Sequence, residues 1–131
     1  MLKLLFALVA LQASLTSAIG QNSSQACREK YRKELEASPR SSLTLFRLAE
    51  CLWLRKDPGG AANEFREALV GDLQPPWTKV WSHVNLGKIF DTTGQRERAL
   101  DQYQLAEETK DNTKGAQDEV AKYRKSPYRE N

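Results

Sequence analysis

The chain has 131 residues, 28% of them charged and 40% hydrophobic, with a formal net charge of +3. That composition fits one globular domain and excludes a wholly disordered chain. Lysines and arginines are interleaved with aspartates and glutamates instead of clustering, so no basic nucleic-acid-binding face is written into the chain.

In chain order, Met1-Leu2-Lys3 leads into an apolar run from Leu4 to Leu11, followed by Thr16-Ser17-Ala18-Ile19-Gly20. A positive start, a short apolar stretch and small residues ahead of a polar segment form the tripartite pattern of a secretory signal peptide, with cleavage after Ala18 or Gly20. The competing reading is an uncleaved anchor, although the stretch is short for a bilayer, and no stable membrane span is expected after cleavage. The expected division is therefore residues 1–20 as signal peptide, 21–125 as a helical domain and 126–131 as a C-terminal tail. A secreted or periplasmic address follows, where thiols oxidise. Cys27 stands too far beyond the apolar run for lipid attachment. The sequon Asn22-Ser23-Ser24 matters only in a glycosylating pathway.

Beyond Gly20, apolar residues recur at helical spacing between turn residues at Ser38-Pro39, Asp57-Pro58-Gly59-Gly60, Pro75-Pro76, Gly94 and Asp111-Asn112-Thr113. The pattern predicts an all-α chain with helices near residues 23–37, 42–55, 59–70, 77–92, 95–109 and 113–125. No run of alternating β-branched residues predicts a strand.

Cys27, in the first predicted helix, and Cys51, in the second, each lie twelve residues from Pro39. Equal distance from the bend of a hairpin means equal height. If the two side chains face each other they meet the Cα separation of about 4.4 to 6.8 Å that a disulfide requires. The alternative is a pair of small buried thiols.

The second helix carries a core stripe of Leu45, Leu48, Ala49 and Leu52 and a separate stripe of Phe46, Glu50 and Trp53. In the fourth helix the corresponding second stripe holds Trp81, Val84 or Asn85, Lys88 and Asp91. Aromatics with mixed charges suit a protein or peptide partner. The competing reading buries Phe46 and Trp53 against the first helix and uses Trp77 with Trp81 to fill the joint at Pro75-Pro76.

The chain also aligns with itself. Leu45, Leu48, Ala49, Leu52, Ala61, Phe65 and Ala68 recur as His83, Leu86, Gly87, Phe90, Ala99, Tyr103 and Ala106, an offset of 38 positions. Gly87 sits inside a helical pattern, where glycine costs about 1 kcal/mol relative to alanine, so a close neighbour is expected to offset that. These positions resemble the tetratricopeptide repeat: a large residue, Leu-Gly and an aromatic in the first helix, then Ala, an aromatic and Ala in the second. The offset is that family's period of about 34 residues plus an insertion at Pro75-Pro76. One period before Ala61 stand Cys27, Tyr31 and Pro39, like the second helix of an incomplete repeat, and Val120-Ala121 falls where a capping helix belongs.

The resemblance implies a short α-solenoid of antiparallel helical hairpins, with two full repeats flanked by a half repeat and a capping helix. It also implies an exported, non-enzymatic scaffold or assembly factor that needs no cofactor and binds its partner in the groove lined by the first helix of each hairpin. The subfamily that grips carboxylates with Lys and Asn does not match, because Phe46 and Glu50 occupy two of those positions and only Asn85 agrees. An alternative is self-association as a homo-oligomer through the incomplete first hairpin. No phosphate loop, metal-binding histidine pair or nucleophile elbow is present, and His83 is the sole histidine.

Overall fold

The structure, a computed structural model, describes residues 2–131, with side chains from Gly20 onward. The signal-peptide reading falls on the segment whose side chains lie outside that description. Six α-helices follow one another: α1 (Leu2–Ala37), α2 (Ser42–Leu54), α3 (Pro58–Leu69), α4 (Trp77–Thr92), α5 (Arg96–Glu108) and α6 (Ala116–Lys125). The described residues contain no strand. The first helix starts earlier than the expected residue 23, because good helix formers continue upstream and no proline interrupts them.

Local chemistry sets each boundary. Pro39 ends α1, since a proline disfavours helical backbone at the residue before it. Ser41 caps α2 by accepting from the Thr44 backbone N–H at 3.2 Å. Asp57 caps α3 by accepting from the Gly60 N–H at 2.9 Å, with Pro58 in the first turn where its missing N–H costs nothing. The last helix is shorter than expected. Lys114 (φ 54) and Gly115 (φ 75) are left-handed, so Thr113–Gly115 form a separate 3-10 turn and α6 begins at Ala116.

Neighbouring helices pack as hairpins, α2 with α3 and α4 with α5, while α2, α4 and α6 lie side by side as one layer. The core is built from the repeating positions. Leu48, Ala49, Leu52, Ala61, Phe65 and Ala68 of the first hairpin are buried, as are Leu86, Phe90, Ala99, Tyr103 and Ala106 of the second. Gly87 explains its own presence: a Cβ there would stand 2.7 and 2.8 Å from Cδ1 and Cζ of Tyr103, so only glycine lets α5 come this near. His83 is also buried, its Nδ1 sharing a hydrogen bond with Gln102 Oε1 at 2.8 Å.

Between the hairpins the inserted residues form a hydrogen-bonded elbow. The buried Ser42 hydroxyl donates to Ala68 O at 2.6 Å and accepts from Leu73 N at 2.9 Å. Asp72 Oδ1 accepts from the backbone N–H groups of Ser42 and Gln74, each at 3.1 Å, which hold its carboxyl below the usual range. A side chain on Gly71 would meet Ser42 Oγ at 2.5 Å and Arg40 O at 2.6 Å, so this crossing too requires glycine.

Cys27 and Cys51 are joined as a disulfide with Cα atoms 5.8 Å apart. Cys27 is buried, and Tyr31 and Leu35 follow it at four-residue intervals to pack on the same core. Ser24 Oγ, one turn earlier, donates to Asp57 Oδ2 at 2.9 Å. The bond therefore clamps a helix that otherwise adds little apolar surface.

Candidate functional site

A cleft of about 420 Å³ opens between α2 and α4, lined by Glu50, Trp53, Leu54, Lys56, Asn85 and Lys88, with Tyr128 and Glu130 from the segment after α6. Its floor arises because α2 and α4 run side by side and turn their core stripes toward α3 and α5. The adjacent stripes are left facing outward together.

The seven expected groove residues part company here. Glu50, Trp53, Asn85 and Lys88 line the cleft. Phe46 does not: it is 4% exposed and stacks edge-on against Phe65 and Trp77, with ring centroids 5.2 and 5.3 Å away. The linker at Pro75-Pro76 brings Trp77 over it, which a stripe drawn on α2 alone does not show. Trp81 turns toward the α5–α6 connection, its indole N–H donating to Thr113 O at 2.9 Å. Val84 is fully buried, so of the two alternatives Asn85 is the one at the cleft.

Asp91 is not a surface group either. Its side chain is 0% exposed and accepts from Arg96 Nη1 at 3.0 Å, from the Tyr103 hydroxyl at 2.8 Å and from the Tyr128 backbone N–H at 2.9 Å. One carboxylate thus joins α4, α5 and the segment beyond α6, and a buried charge needs such partners to be tolerated. Burial and the Asp91 charge drive the Tyr103 phenol well above its ordinary range.

Lys88 stands at the centre of the cleft wall. Its ammonium pairs with Glu119 Oε2 of α6 at 2.7 Å and lies 5.7, 5.4 and 5.3 Å from the ring centroids of Trp81, Tyr123 and Tyr128. A cation held among aromatic faces is attracted by their quadrupoles. Withdrawal from water pushes the Tyr123 phenol up, with Glu119 adding to the effect. Across the cleft, withdrawal from water likewise pushes the Glu50 carboxyl up, while Lys114 and Arg47 pull it back.

Residues 126–131 do not hang free. Ser126 leaves α6 in extended conformation (φ −142, ψ 131), as the following Pro127 favours, and the chain then crosses the end of the cleft. The Tyr128 ring meets Tyr123 edge-on at 5.2 Å and Trp53 at 6.1 Å. Glu130 Oε1 accepts from Trp53 Nε1 at 2.9 Å, and Oε2 lies 3.6 Å from Lys56 Nζ. Sequence reasoning overlooked Tyr123, Tyr128 and Glu130. The available signal was two aromatics in an otherwise polar stretch, where nothing local would keep a tyrosine.

The site holds polar and aromatic groups but no nucleophile beside a base. His83 hydrogen-bonds Gln102 of α5 and does not line the cleft. Among the described residues no group of three or more His, Cys, Asp or Glu side chains is placed to hold a metal ion, and no helix is long and apolar enough to cross a membrane. Comparison with protein-family models, with curated proteins and with solved structures returned no significant match for this chain.

Proposed function

We propose that the chain is an exported, non-enzymatic module of tetratricopeptide-repeat type that binds an extended segment of a partner protein between α2 and α4. The observation that carries this reading is the cleft itself, with Trp53 as an aromatic wall, Lys56 and Lys88 as cations, and Glu50 and Asn85 able to fix a peptide's orientation. Apolar walls with a few placed polar groups are what peptide recognition uses. Support for the repeat family comes from the two hairpins, which bury the same pattern of small and aromatic residues at matching positions, and from the fit of Tyr103 over Gly87. Support for export comes from the disulfide, since such bonds persist in oxidising compartments.

The test is a screen of the oxidised protein against a library of random twelve-residue peptides, followed by titration of the selected sequences. Binding is read from the Trp53 indole N–H resonance and from tryptophan fluorescence. Selected peptides should shift Trp53 and lose about tenfold or more in affinity for Trp53→Ala, the cost of removing an aromatic hot spot. Binding that is indifferent to Trp53→Ala and Lys88→Ala would refute the assignment.

A further inference from the structure

We infer that the segment Tyr128–Glu130 is a resident ligand of the cleft, and that the partner it stands in for carries an aromatic residue followed two positions later by a carboxylate. This rests on the reading of the cleft as a peptide site and adds the chemistry of what enters it.

The segment makes the contacts expected of a bound peptide. It follows Ser126, which is extended (φ −142, ψ 131), and runs past the site without regular secondary structure. Tyr128 and Glu130 line the cleft, whereas Arg129 between them does not. Backbone recognition is present, with the Tyr128 N–H on Asp91 at 2.9 Å. So is side-chain recognition. The ring sits between Trp53 and Tyr123 beneath the Lys88 ammonium, and the carboxylate meets the indole N–H of Trp53 and the ammonium of Lys56. Each group that selects for an aromatic or an acid is therefore already matched once, by the chain itself.

Its hold at the acidic end is weak. The Lys56–Glu130 pair is 80% and 41% exposed, a surface pair of the kind that contributes little. Besides the Tyr128 N–H on Asp91 and the ring contacts, what keeps the segment in place is its tether, since a short covalent link gives an effective concentration on the order of millimolar. A partner of the same chemistry competes against that, and its apparent affinity falls by the fraction of molecules whose cleft is open.

The experiment uses the full chain and the synthetic hexapeptide Ser-Pro-Tyr-Arg-Glu-Asn, whose sequence is that of residues 126–131. It is titrated into the wild type, into Tyr128→Ala/Glu130→Ala and into the milder Glu130→Lys, whose substitution lies on an exposed side chain. Far-ultraviolet circular dichroism confirms that each variant is folded. The double variant should bind the hexapeptide at least about fivefold more tightly than the wild type, as expected when a tethered competitor is removed, with Glu130→Lys intermediate. Peptides with Ala for Tyr or Gln for Glu should bind more weakly. Equal affinity in all three proteins would overturn the inference. If the double variant binds library peptides lacking the aromatic-x-acid pattern equally well, the inference fails and the cleft reading stands; if it binds no peptide, both fail. A concentration-dependent dimer abolished by Tyr128→Ala would assign these contacts to a second copy and would also overturn it.

Discussion

Replacing Gly87 by alanine is expected to weaken the protein, although alanine is the better helix former. In a helix interior the exchange by itself gains about 1 kcal/mol. Against that gain stands Tyr103, whose Cδ1 and Cζ would lie 2.7 and 2.8 Å from the new methyl group, distances that carbon atoms do not tolerate. Its ring must move, yet Tyr103 is 0% exposed and its hydroxyl is tied to Asp91 at 2.8 Å. Overpacking a filled core costs about 1 to 3 kcal/mol. Pulling the phenol off a buried carboxylate adds about 1.5 to 3 kcal/mol, because hydrogen bonds to charged groups are the stronger kind. The expected net loss is about 1.5 to 5 kcal/mol, or a fall of roughly 5 °C or more in Tm for a domain of this size. Urea and thermal unfolding of the oxidised protein, followed by circular dichroism, measure it. Gly59→Ala is the matched control. It lies in α3 with nothing within 4 Å of the added carbon, so it should gain up to about 1 kcal/mol. A Gly87→Ala protein as stable as the wild type would refute the close-approach argument.

Denatured, unreduced protein should contain no titratable thiol, and replacing both Cys27 and Cys51 by alanine should cost roughly 3 kcal/mol, from the loop of 24 residues that the bond closes. Two free thiols in the unreduced protein would contradict the pairing. Burial holds the His83 imidazole below its ordinary value of 6.5, with the Gln102 bond opposing. As pH falls below about 6.5 the unfolded chain therefore takes up a proton that the folded one resists, so stability should decline from pH 7 toward pH 5. His83→Gln should flatten that decline, and a wild-type Tm unchanged across the window would count against it.

The architecture was legible because its determinants are local or periodic. Alternation of small and aromatic residues at matching positions marked the core of both hairpins, and equal distances from Pro39 placed the two cysteines at one height. The cleft was less legible. A stripe drawn on one helix says which side chains share a direction, but what covers them comes from elsewhere. Phe46 is covered by Trp77 of the next hairpin, and Asp91 by Arg96, Tyr103 and Tyr128. The segment after α6 carries no periodicity, and its contact from Trp53 to Glu130 spans 77 positions, beyond any window in which a pattern can be read.

The elbow joining the hairpins has an entropic consequence. Ser42 and Asp72 tie the start of α2 to the chain that leads into α4, and the Cys27–Cys51 bond holds α2 from its other side. The cleft floor is thus shaped by contacts outside the cleft, so under the proposed binding the disorder lost on association would be mostly the peptide's. Discrimination among peptides would then fall on stiffness as well as on side-chain chemistry. Under that proposal, peptides held extended ahead of a proline, as Ser126 is ahead of Pro127, would surrender the least freedom and are expected to be favoured over flexible ones of the same composition.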